Sequence, residues 1–157
     1  MMIFGSEKQV YKSIADDQVL SHFKENVGIN LFNNSQNTCS IENVISVSSM
    51  LWPEIVEVGP YIFISYFYNG NIENLESKFN DRIKIEKMVN SFSLSEFFLH
   101  AFDESVLNET IFFEFCKVIK FFWELRFKTL FPERDIVVEI GENIMGEMGW
   151  TIVVYQR

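Results

Sequence analysis

Lysine and arginine are missing from residues 25–77 and again from residues 135–156. The first stretch carries Glu25, Glu42, Glu54, Glu57, Glu73 and Glu76; the second carries Asp135, Glu139, Glu142 and Glu147. Elsewhere the signs balance, with three acids and three bases in 1–24 and nine of each in 78–134. The ten acids of the base-free stretches, less the charge of Arg157, account for the whole net charge of −9. Such a distribution argues against nucleic acid as a partner, because phosphate contacts need Lys and Arg. If the two stretches meet in space they form an acidic face, which attracts a basic protein and speeds its encounter.

Other shortages exclude further classes. The two cysteines, Cys39 and Cys116, show no CxxC or Cys/His spacing, so they read as reduced thiols with Cys116 in the core. Two histidines and two distant cysteines are poor material for zinc. No P-loop, strand-following GxGxxG, HExxH or GxSxG is present. His100 with Asp103 and Glu104 is a spacing that chance produces often, and it reads as a surface or capping group rather than an acid/base site. The expectation is a non-enzyme with no catalytic residue, no cofactor and no metal. The start, MMIFGSEKQVYKS, has no long apolar run behind a basic end, and residues 110–131 carry a charge every three or four positions. Neither reads as a leader or a membrane span, which points to the cytoplasm and to no membrane partner.

What is there suits one α+β domain over residues 1–157. Apolar residues are 48% of the chain and 17 of them are Phe. A domain of this size buries roughly 70% of its unfolded surface. The three prolines punctuate. Ser40 caps a helix with Ile41, Val44, Ile45, Ser48 and Leu51–Trp52 on one face, and Pro53 ends it. The period then changes. Residues 54–58, a Gly59–Pro60 turn and 61–68 read as a hairpin; residues 135–140 and 150–155, joined by the loop GENIMGEMG, read as another. Together they predict an antiparallel sheet of about four strands with helices on one face.

Between the hairpins, Asn69–Gly70–Asn71 is a turn, Ile72, Leu75 and Phe79 mark a short helix, and Ile83, Ile85, Met88 and Val89 mark another. Residues 6–14 suggest a short helix, Asp16 or Asp17 caps a second with Val19, Leu20 and Phe23, and the run NNSQNT at 33–38 reads as a loop. The strongest pattern is a long central apolar helix near 108–130, capped by Asn108 and stopped by Pro132. Glu114, Lys117, Lys120, Glu124 and Lys128 form its single polar stripe. Phe112, Phe113, Phe115, Cys116, Ile119, Phe122 and Phe127 cover the other sides, so Phe122 is expected in the core. Arg126 lies off the stripe and must either snorkel or pair with a carboxylate.

Aromatic residues beside acids are typical interface anchors. Trp52, Tyr66 and Tyr68 surround the first hairpin, and Trp150 and Tyr155 the second. The segment Leu51–Trp52–Pro53–Glu54–Ile55–Val56–Glu57–Val58, followed by Tyr61–Ile62–Phe63–Ile64, resembles the immunity proteins of bacterial polymorphic-toxin and contact-dependent growth-inhibition systems, as does the acidic α+β build of the whole chain. The resemblance implies a cytoplasmic protein that binds and blocks a cognate toxin, often a basic nuclease. The expected partner-binding residues are Glu54, Glu57, Glu73, Glu76, Glu139, Glu142 and Glu147, with Trp52, Tyr68 and Trp150. The alternatives are an acidic adaptor or regulatory subunit for another basic protein, and a small enzyme with an unrecognised site.

Overall fold

The computed structural model describes residues 10–157 and is an α+β fold. Its elements are α1 (Leu31–Thr38), α2 (Ile41–Leu51), β1 (Ile55–Val58), β2 (Tyr61–Ile64), α3 (Ile72–Lys78), α4 (Arg82–Asn90), β3 (Phe92–Ser93), α5 (Glu109–Leu130), β4 (Ile136–Glu142) and β5 (Trp150–Gln156). A 3₁₀ turn at Asp17–His22, capped by Asp16, buries Val19 and Leu20. The helix expected over 6–14 lies partly outside the described residues, and residues 10–14 form none.

Local chemistry accounts for most boundaries. Ser40, Asn71, Asp81 and Asn108 each place a side-chain oxygen on an otherwise orphaned N–H of the first turn. The run at 33–38 is a correction: it is the body of α1, not a loop. Asn30 caps the Asn33 N–H at 2.8 Å. Asn37 and Thr38 then donate to the carbonyls of Asn33 and Asn34. Polar side chains that usually compete with a helix are here spent on its own backbone.

Both hairpins form. Val58 faces Tyr61 across a two-residue turn in which Gly59, at φ +57°, supplies the left-handed first position of a primed turn. The single four-stranded sheet does not form. β1 and β2 make one two-stranded sheet, and β3, β5 and β4, in that order, make another. Side chains of α4 occupy the seam. Glu86, fully buried, accepts the N–H groups of Ile62 at 2.9 Å and Gln156 at 2.7 Å, and also the Gln156 side-chain amide. Asn90, also fully buried, accepts the Ile64 N–H and donates to the carbonyls of Ile62 and Val154. The inner edges of β2 and β5 are therefore satisfied by a helix rather than by each other.

Helices lie on both sides of β2, not on one face as the pattern suggested. All four of its residues are buried. Ile62 and Ile64 join the main core with Leu94, Val138, Ile152 and Val154, under the Phe112, Cys116, Ile119, Trp123 and Phe127 face of α5. Tyr61 and Phe63 join Ile85 and the half-buried Leu75 and Phe79 on the other side. α5 runs as expected, and its stripe pairs Glu114 with Lys117 at 2.7 Å and Lys120 with Glu124 at 3.7 Å. Its buried arc is narrower than its composition implied. Phe122 is only half-buried, Trp123 takes the core position, and Phe113, Phe121 and Leu125 are exposed. Arg126 pairs with no carboxylate among the described residues; it donates to the Pro53 carbonyl at 3.3 Å and lies 5.0 Å over the Trp52 ring. Both cysteines are free thiols, and burial pushes that of Cys116 up to about 11. No helix among the described residues is long and apolar enough to cross a membrane.

Candidate functional site: an acidic groove beside the first hairpin

A concavity of about 810 Å³ opens where α2, the first hairpin and the segment after β3 meet. One wall is the C-terminal half of α2, with Ser46, Ser49 and Met50. The hairpin contributes Glu54 from its start and Ser65, Tyr66 and Phe67 from just beyond its end. Phe92 and Ser93 of β3, followed by Glu96, Phe97 and His100, close the other side. Trp123 forms part of the floor, and Glu147 reaches in from the loop between β4 and β5.

Four features hold this shape. Trp123 Nε1 donates to the Met50 carbonyl at 2.9 Å, which ties the end of α2 to α5. The Ser65 N–H donates to the Glu54 carbonyl at 2.8 Å and the Ser65 hydroxyl to the Glu54 carboxylate at 2.9 Å. Ser93 Oγ donates to the Met148 carbonyl at 2.7 Å and accepts the Glu96 N–H, so the turn carrying Glu96 is joined to the loop carrying Glu147. Phe67 and Phe92 stack with centroids 5.2 Å apart, and Phe97 meets Phe92 edge-on. The result is an aromatic trough with three carboxylates, and no Lys or Arg among the described residues lines it.

The expected binding residues are dispersed around this groove, and several have other duties. Glu54 and Glu147 line it. Glu57, on β1, is ion-paired with Arg134. Glu139, on β4, pairs with Lys87 at 3.3 Å and accepts the Tyr155 hydroxyl at 3.1 Å. Glu76, on α3, accepts the Tyr61 hydroxyl at 3.0 Å; burial first, then this carboxylate, raises the Tyr61 phenol above its ordinary value. Glu73 and Glu142 are exposed on α3 and at the end of β4. Trp52 is exposed on its outer face beneath Arg126, whereas Tyr68 stacks on Phe63 at 4.8 Å and Trp150 packs edge-on against Phe113 at 5.0 Å. Tyr68 and Trp150 thus serve packing.

Sequence reasoning missed Glu96, whose segment is balanced in charge and shows no deficit to notice. Tyr66, at 90% exposure on the rim, is the freest aromatic of the groove. The His100, Asp103 and Glu104 trio separates: His100 lines the groove, Asp103 caps the Ser105 N–H, and Glu104 pairs with Lys24. No cluster of three or more potential metal ligands occurs among the described residues. Comparison with family models, curated proteins and solved structures finds no match.

Proposed function

We propose that this chain is a binding module whose groove receives Lys or Arg side chains of a basic protein, and that it acts as an immunity protein that occupies a cognate, nuclease-type toxin. The observation that carries the reading is the groove itself, with Glu54, Glu96 and Glu147 on an aromatic floor and no Lys or Arg among its described lining residues. A guanidinium suits such a site, because it forks onto a carboxylate while its plane stacks on aromatic rings. An apolar floor also displaces water and strengthens the ion pair. For a nuclease, occupation of its basic surface removes the charge that holds the substrate phosphates.

The test is to co-express the chain with the product of its neighbouring gene and to measure survival and complex formation. The triple variant Glu54→Gln, Glu96→Gln, Glu147→Gln is expected to lose about tenfold or more in affinity, and added salt should weaken the wild-type complex more than the variant's. Unchanged protection by the triple variant, together with salt-independent binding, would overturn the groove model.

A further inference from the structure

Among the described residues, α2 is tied to α5 at its C-terminal end, where the Met50 and Pro53 carbonyls accept from Trp123 and Arg126. Every residue from Ile41 to Ser49 is exposed. Ile41, Val44 and Ile45, spaced to share one face, are 80%, 57% and 64% exposed. A helix with an apolar face ordinarily buries it, and a contiguous exposed apolar patch marks an interaction surface. A shallow cleft of about 270 Å³ runs along these three residues between α1 and α2. Ser46, Ser49 and Met50 of the same helix form a wall of the acidic groove.

We infer that the Ile41, Val44 and Ile45 face of α2 is a docking site for a basic protein that presents apolar residues flanked by Lys or Arg. Charge selects this occupant over a second copy of the chain. Glu42 is the single charged residue on α2, and Glu54, Glu96 and Glu147 line the groove that Ser46, Ser49 and Met50 of the same helix wall. Two copies meeting through α2 would bring these carboxylates toward one another, whereas a basic partner gains from the same field. An apolar anchor beside a charged rim is the usual anatomy of a protein interface. The choice of a basic occupant rests on the reading of the groove, and the experiment separates the two.

A photo-crosslinking amino acid is placed at Ile45, at Tyr66 in the groove, or at Leu107, which is exposed elsewhere, in cells that make the protein. Captured peptides are read by mass spectrometry. The expected result is that Ile45 and Tyr66 capture one protein, and that the peptide joined to Ile45 carries Lys or Arg beside apolar residues. Ile45→Gln should then weaken binding of that purified protein about tenfold or more, without moving the melting temperature of the chain. Capture of a basic protein at Ile45 but not at Tyr66 upholds the α2 site and removes the groove reading. Capture at Tyr66 alone does the reverse. A homodimer joined through Ile45, a captured peptide without bases, or no capture above the Leu107 control overturns the α2 proposal.

Discussion

The side-chain amide of Asn90 donates to the carbonyl of Val154 at 3.0 Å and to that of Ile62 at 2.9 Å, so one helical residue spans the gap between the two sheets. Its oxygen takes the Ile64 N–H at 2.9 Å. Replacing Asn90 with Ala or Leu strands three buried backbone groups. The expected loss is about 3 kcal/mol or more, at roughly 1–3 kcal/mol for each unsatisfied group. Urea denaturation measures it. A loss below about 1 kcal/mol would show that water or a shifted strand replaces the amide.

Trp123, not Phe122, is the aromatic keystone of α5. Trp123 is buried in the main core and bonded to Met50, while Phe122 is half-buried. Trp123→Ala should cost about 3–5 kcal/mol and loosen α2 as well, with Phe122→Ala costing clearly less. Paired thermal melts decide the order, and an equal or larger effect at Phe122 would place the helix in a different rotation.

The two thiols should differ sharply in reactivity. Cys39 is exposed and Cys116 is buried, with its thiol held up to about 11. A thiol reagent should label one cysteine in the native protein and two in denaturant; rapid native labelling of Cys116 would contradict its burial. The raised value also bears on stability. The native state keeps a proton that the unfolded thiol releases near its ordinary value of 9. Stability from this group is therefore complete below about pH 9 and declines as pH rises toward 11. The raised Tyr61 phenol acts in the same direction. Cys116→Ala should flatten, without abolishing, the alkaline decline in a series of melts.

Ser40→Ala removes the side chain that accepts the Asn43 N–H at 3.1 Å. A cap of this kind contributes about 1 kcal/mol. Because residues 41–49 are exposed and the bonds to α5 lie at the far end of α2, the cost should appear as faster amide hydrogen exchange within 41–47, with little change in global melting. A full drop in global stability would show that α2 folds as part of the core.

Elements governed by near neighbours were legible in the sequence. The Ser40 and Asn108 caps, the stops before Pro53 and Pro132, the Gly59–Pro60 turn and the stripe of α5 each depend on residues within about a turn of one another, where propensity and spacing act directly. The run at 33–38 escaped because its polar residues suit a loop and a self-bonded helix equally well. Of the candidate site, Glu54 and Glu147 were legible through the charge deficit, but not their company with Glu96.

The amino-acid sequence alone determined the α+β class, the two hairpins, the long helix and the uneven charge. Tertiary structure decided that β2 and β5 stay apart, because Glu86 and Asn90 of α4 take their backbone groups. It also decided which acids are engaged. Arg134 reaches Glu57 from 77 positions away, and Lys87 reaches Glu139 across 52. Ion pairs at such separations depend on where the chain returns in space, which no local spacing encodes, so a base-free stretch of sequence does not become a base-free surface until the fold has placed every lysine and arginine.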